Sequence, residues 1–289
     1  MATQQTLVGM GGEEPALYDF GSGTVTWTSN SRHGRNGPSL GEIRNGMSGA
    51  NSGSWKNDSN WLNSSNGIAL WTVPQTGNYR IETYGPRGSN QYSNWFGGYG
   101  TRIRGDFALT GGEVLKILVG QTGADSYGGG GGMTGVAQNN NTPLIFSGGG
   151  NCTSPWSGTT HNATTSTTGV TGGNSSGGSN GNCGYSNSGT WGGAGFYQNY
   201  SGNANCGSHP YSFTNWGQGG YTCNGQGGYG GGTGTDGCCY GSSGAGGGYS
   251  GGGGGTPSGG GGGSYNGGSN QSNTQNGSNW GSVTIQKLT

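Results

Sequence analysis

The sequence predicts an all-β fold: a β-sandwich into which a long glycine-rich segment is inserted. Three observations lead there. Two stretches before residue 125 alternate β-branched or aromatic residues with polar ones at period two. The charges stop abruptly, since every charged residue except Asp236 and Lys287 lies within 13–125. Beyond that point the chain is dominated by glycine, which makes up 76 of the 289 residues.

The first 45 residues contain a short strand signal at Thr24-Val-Thr-Trp-Thr28 and the isolated apolar residues Leu7, Val8, Met10, Leu17 and Leu40. They read either as a docking arm for a partner or as an extra strand. Residues 46–125 form the body of the sandwich. Its strands run through Ile68-Ala-Leu-Trp-Thr-Val-Pro-Gln-Thr-Gly-Asn-Tyr-Arg-Ile-Glu-Thr-Tyr84 and Thr101-Arg-Ile-Arg-Gly-Asp-Phe-Ala-Leu109, then from Glu113 to Val119 beyond the turn at Gly111-Gly112. Leu144-Ile-Phe146 and Val283-Thr-Ile285 supply shorter strands, so 143–147 and 281–287 complete the same sandwich. Residues 126–280 are then the insertion.

Within the insertion, glycine runs at 128–132, 148–150, 230–232, 246–248, 251–255 and 259–263 alternate with segments rich in Asn, Ser, Thr and aromatics. A collagen period is absent, because proline is scarce and no Gly-X-Y repeat exists. Two readings stay open, a flexible spacer and an ordered bundle of polyglycine II helices. The second is favoured by the nine Trp, fifteen Tyr and six Phe of the chain, which a spacer does not need. Without Cβ atoms, extended helices approach until their backbones exchange hydrogen bonds, and the backbone itself becomes the core. Ordering glycine costs conformational entropy, so such a bundle needs a folded platform at its ends. The flanking strands provide one.

Composition bounds function as well. Ten basic and ten acidic residues leave zero net charge and no basic field for nucleic acid. No stretch is long and apolar enough for membrane insertion. The first residues lack the basic and apolar regions of a cleaved leader, so release by lysis or leaderless export is expected. Catalysis is not expected either. His33, His161 and His209 sit in polar contexts without a nearby carboxylate, which argues against a metal or a general base. Glycine runs lack the Gly-Lys-Ser/Thr of a phosphate loop. Neither a cofactor nor a metal is called for.

The six cysteines, Cys152, Cys183, Cys206, Cys223, Cys238 and Cys239, all lie in the insertion and form no C-x-x-C pair. An even number in a region poor in apolar core suits loop-stapling disulfides, with six thiols as the alternative. The best binding candidates are the aromatics between the glycine runs: Trp156, Tyr185, Trp191, Tyr197, Tyr200, Tyr211, Phe213 and Trp216. Their rings can stack on sugar faces or pack in protein contacts while Asn, Ser and Thr hydrogen-bond at low charge. Equally, some of these rings cap the glycine lattice.

Trp71-Thr-Val-Pro-Gln-Thr-Gly-Asn-Tyr-Arg-Ile81, Tyr84-Gly85 and Gly105-Asp-Phe-Ala-Leu-Thr-Gly-Gly-Glu-Val-Leu-Lys-Ile-Leu-Val-Gly-Gln-Thr-Gly123 resemble the glycine-rich domain of anaplastic lymphoma kinase and its relatives. Glycine-rich domains of bacterial and phage surface proteins carry a similar pattern. The resemblance covers residues 67–150 and implies a tumour-necrosis-factor-like jelly roll bearing polyglycine II helices, without catalysis. At Gly85-Pro86-Arg87-Gly88 the chain departs from the family's longer small-residue run. In layout, the glycine-rich half is similar to the adhesins at phage tail-fibre tips. That likeness implies a virion-surface protein, extracellular after release, that binds a host-surface glycan or protein. A structural capsid or fibre appendage and a cellular ligand-binding module are the alternatives. Partners would include other virion proteins through 1–45, and further copies of the chain.

Overall fold

The computed structural model describes residues 15–21, 23–49, 55–89, 97–124, 128–152, 160–186, 191–202, 207–222, 225–235, 243–275 and 277–289. Its regular structure is almost entirely β, in two six-stranded antiparallel sheets. Elements are numbered in chain order. The first sheet contains β1 (Thr24–Thr28), β2 (Met47–Ser48), β5 (Gly77–Tyr84), β6 (Arg102–Leu109), β11 (Ser269–Thr274) and β12 (Ser282–Lys287), in the order β11-β6-β5-β12-β1-β2. The second contains β3 (Leu62–Ser65), β4 (Ile68–Thr72), β7 (Val114–Leu118), β8 (Thr134–Gln138), β9 (Pro143–Ser147) and β10 (Tyr265–Asn266), in the order β10-β9-β8-β7-β4-β3.

Local sequence explains the breaks. Pro74 cannot donate to a ladder, and the stretch 68–84 divides there into β4 of one sheet and β5 of the other. Asn66 and Gly67, with φ of 48° and 87°, make the two-residue turn between β3 and β4. Along β5 the alternate residues Tyr79, Ile81 and Thr83 are buried. Tyr79 and Ile81 meet Trp27 and Val25 of β1, Trp71 of β4, Leu115 and Ile117 of β7, and Val283 and Ile285 of β12 in one core, while Thr83 bonds to Ser147. Trp27 and Trp71 pack edge to face at 5.8 Å.

The second sheet is buried on both faces. Ile68, Leu118, Ala137 and Phe146 alternate with the residues of the first core and join Met133, Phe196, Phe213 and Tyr229 of the glycine-rich region in a second cluster. Phe213 stacks on Phe196 at 4.9 Å and meets Phe146 edge to face at 5.0 Å. The insertion therefore packs directly on the sheet.

Three of the six glycine runs adjoin a strand, 128–132 before β8, 148–150 after β9 and 259–263 before β10, as does the segment 85–88 after β5. They are buried, and their backbones bond to one another. Gly131 donates to Gly150, Gly149 to Gly247, Gly247 to Gly131, Gly246 to Gly260 and Gly193 to Gly252, each at 2.8–2.9 Å. Neighbouring segments lie so close that a Cβ on Gly131 would stand 2.6 Å from the carbonyl oxygen of Pro86 and 2.7 Å from that of Arg87. Glycine is the residue that permits this approach.

Residues 24–28, expected as a strand, form an interior strand between β12 and β2, which agrees with the extra-strand alternative for this part of the N-terminal segment; residues 1–14 lie outside the described set. Other elements depart from the sequence reading. A short helix, α1 (Leu40–Asn45), closes the same N-terminal segment, its start fixed by a capping box between Ser39 and Glu42. The insertion also holds strands that were not anticipated, β8, β10 and β11, alongside the expected 143–147.

Candidate functional site

The segment 34–37 joins the sandwich to the glycine-rich region. Gly34 donates to Thr122 and accepts from Tyr229, while Arg35 accepts from Gly219. Gln218 donates through Nε2 to Asn36 Oδ1 at 3.0 Å. Where these parts meet, an open groove of about 730 Å³ is lined by Pro38, Ser39 and Glu42 at the start of α1, Asn66 in the β3–β4 turn, and Tyr211, Asn215, Trp216 and Gln218. Tyr229 forms its floor, fully buried, with its hydroxyl donating to the Asn66 carbonyl at 3.0 Å. Gly37 and Gly67 permit that fit, since a Cβ on Gly37 would lie 2.7 Å from the Tyr229 ring.

Trp216 is placed by its neighbours. Residues Phe213–Asn215 form a 3-10 turn whose first side chain is rooted in the second core cluster. Trp216 follows with φ 71°, in the left-handed region that bulky residues avoid, and Gly217 with φ 66°. The turn is closed by Trp216 N–H donating to the Phe213 carbonyl at 3.1 Å and Gly217 N–H to Ser212 at 2.8 Å. A Cβ on Gly217 would lie 2.6 Å from Leu118 Cδ1, so this corner sits tightly on the sheet. The indole is nevertheless 41% exposed. A strained backbone thus holds a large aromatic face toward solvent.

The groove carries little charge. Its carboxylate, Glu42, is occupied by the Ser39 cap and by Arg32. The Ser39 backbone N–H, then the Ser39 hydroxyl, hold the Glu42 carboxyl below the usual range. What remains for a ligand is an indole face, the Tyr211 phenol, and the amides and hydroxyls of Asn215, Gln218, Asn66, Ser39 and Ser64. Such a surface stacks and hydrogen-bonds; it offers no nucleophile and base pair. Among the described residues no three His, Cys, Asp or Glu gather to hold a metal.

The eight aromatics singled out from sequence separate into distinct environments. Tyr211 and Trp216 line the groove. Tyr185 and Tyr197 are exposed, at 66% and 50%, outside it. Trp191, Tyr200 and Phe213 are buried, in line with the alternative that some of these rings pack inside: Phe213 anchors the Trp216 turn, and Trp191 packs with Tyr200 and edge-on to His209. Trp156 lies outside the described residues. Sequence reading missed the opposite wall, Pro38, Ser39, Glu42 and Asn66, because neither a capped helix start nor an Asn-Gly turn signals a ligand.

Of the disulfide candidates, Cys206, Cys223, Cys238 and Cys239 also lie outside the described residues. Cys152 and Cys183 are not bridged to each other. Cys152 is fully buried, and that burial pushes its thiol up to about 12. Cys183 is partly buried, its Sγ 3.5 Å from Gln198 Oε1.

No family model matches the chain. Over 65 residues it is 42% identical to the leukocyte tyrosine kinase receptor of Mus musculus. The match takes in 22% of this chain and 7% of that receptor, so the chain spans only a small part of the relative it is similar to.

Proposed function

We propose that this chain is a non-catalytic recognition protein of the adhesin class, which binds a host-surface glycan or protein in the groove around Trp216. The observation that carries the reading is the indole itself, exposed on a groove wall and held in a left-handed backbone conformation on a buried phenylalanine anchor. Strain of this kind costs about 1–3 kcal/mol and persists where the surroundings enforce it. Aromatic faces framed by amides and hydroxyls suit sugar rings and polar loops alike.

The scaffold we assign is a jelly-roll sandwich carrying a bundle of polyglycine II helices, extended at about 3.1 Å per residue. It is supported by the exchange of backbone hydrogen bonds between the runs at 130–132, 148–150, 246–248 and 259–263. A lattice of this kind gives rigid support to the loops that flank it. The setting we assign is the surface of a phage virion at a tail-fibre tip, by the likeness in layout to the adhesins found there. Similarity to a receptor favours a second reading of the same groove, as the ligand-binding module of a cellular surface protein.

Adsorption of the purified chain to a panel of host cells and isolated surface polysaccharides tests the proposal. Saturable binding should be lost in Trp216→Ala and Tyr211→Ala and kept in Tyr185→Ala. Uniform absence of binding would instead identify a structural appendage.

A further inference from the structure

Arg35 precedes Asn36, which bonds the groove residue Gln218, and has no ion-pair partner among the described residues. Among the described residues, Arg32 pairs with Glu42, Arg80 with Asp106 and Arg102 with Glu82, while Arg44 and Arg87 donate to backbone carbonyls. Arg104 lies in the field of Glu82 and Asp106. Among the described residues, the neighbours of the partly buried Arg35 guanidinium are tyrosine rings. It lies over the Tyr221 ring, 5.9 Å from its centre, and Tyr211, which lines the groove, is its other electrostatic neighbour. Its Nε is buried with no hydrogen-bond partner, and burial lowers the guanidinium's proton affinity. An arginine set between aromatic rings, short of acceptors and partly stripped of water, is arranged to receive an oxyanion.

We propose that Arg35 and Tyr211 form a carboxylate subsite at the edge of the Trp216 groove, so that the ligand is an acidic saccharide. This rests on the glycan reading of the groove. In this subsite the terminal nitrogens of Arg35 take the carboxylate, Tyr211 lines the wall beside it, and Trp216 stacks on the sugar ring. One arginine balances the single charge of a carboxylate but not the near-double charge of a phosphate monoester, and no lysine lines the groove; the singly charged phosphodiester is separated from the carboxylate by the test below. With zero net charge on the chain, selectivity comes from this single contact rather than from long-range attraction.

The test measures binding of the intact chain to polygalacturonate and polysialate, each beside its carboxyl-reduced form, with dextran and poly(glycerol phosphate) for comparison. The wild type should bind at least one of the acidic polymers, and carboxyl reduction of that polymer should weaken binding about tenfold or more. Arg35→Gln should abolish that discrimination, and Arg35→Lys should restore it only in part, because an ammonium keeps the charge and loses the fork. Reducing the ligand leaves the protein untouched, so the test stands even if an Arg35 variant folds poorly. Equal binding of native and reduced polymers, or equal binding of the phosphate polymer, would overturn the carboxylate subsite and leave the glycan reading standing. Absence of binding to every polymer would overturn both.

Discussion

The same chemical change, glycine to alanine, should have opposite effects at Gly131 and Gly41. Gly131 lies in the lattice, and neither position has a positive φ, so an added methyl acts by contact alone. At Gly131 that methyl would stand 2.6 and 2.7 Å from two backbone carbonyl oxygens, closer than side-chain carbons come. Relief requires the 85–88 segment to move away. Three hydrogen bonds depend on the present spacing: Gly131 to Gly150, Gly247 to Gly131, and Gly150 to Pro86. Losing three at about 1 kcal/mol each, less roughly 0.5–1 kcal/mol of unfolded-chain entropy saved by alanine, gives a net loss of about 2 kcal/mol. For a chain of this size that lowers the unfolding midpoint by about 3 °C. At Gly41, in α1, nothing lies within 4 Å of an added Cβ, so alanine should stabilise by about 0.5–1 kcal/mol. Urea unfolding of both variants reads the difference. If Gly131→Ala stayed within about 0.5 kcal/mol of wild type, the backbone-packed core would be refuted.

Other consequences can be measured separately. Trp216→Asn places a residue tolerant of the left-handed region at φ 71°, so stability should hold or rise while ligand binding is lost. Phe213→Ala should cost about 3–5 kcal/mol and also weaken binding, because it removes the anchor of the Trp216 turn. In β6, the Asp106 carboxyl is held below its usual value by its hydrogen bonds to Arg80, at 2.8 and 2.9 Å. Its contribution is thus present above the unfolded-state pKa of about 4 and lost as pH falls through the lower folded value. Asp106→Asn should accordingly flatten the acid limb of stability against pH, followed by urea midpoints between pH 7 and 2. Cys152, buried with a raised thiol pKa, should resist alkylation in the native chain and react on unfolding, as mass spectrometry of labelled peptides would report.

How much was legible in the sequence follows from the physics of each element. Strands β5, β6, β7 and β12 were readable because one face of each is buried, which forces alternation. β8 (Thr134–Gln138) is buried almost throughout and carries Gly135 at its second position, packed against the Phe146 ring, so it shows no alternation. β11, with sequence SNQSNT, is an exposed edge strand and carries no apolar signal at all. Phe213 and Trp216 stand three residues apart in the same polar context, yet one is an anchor and the other a contact. That distinction depends on a turn geometry set by Phe146 and Leu118 on distant strands. Arg35 was equally hidden, since its lack of a carboxylate becomes visible only once the other arginines have been paired.

The most direct test of the account is tryptophan oxidation footprinting with and without a saturating ligand from the adsorption panel. Among the described residues, Trp216 and Trp280 are the exposed tryptophans, at 41% and 37%, and Trp280 lies outside the groove. Ligand should shield Trp216 and leave Trp280 as reactive as before. Unchanged reactivity at Trp216 under saturation, or protection at Trp280 instead, would contradict it.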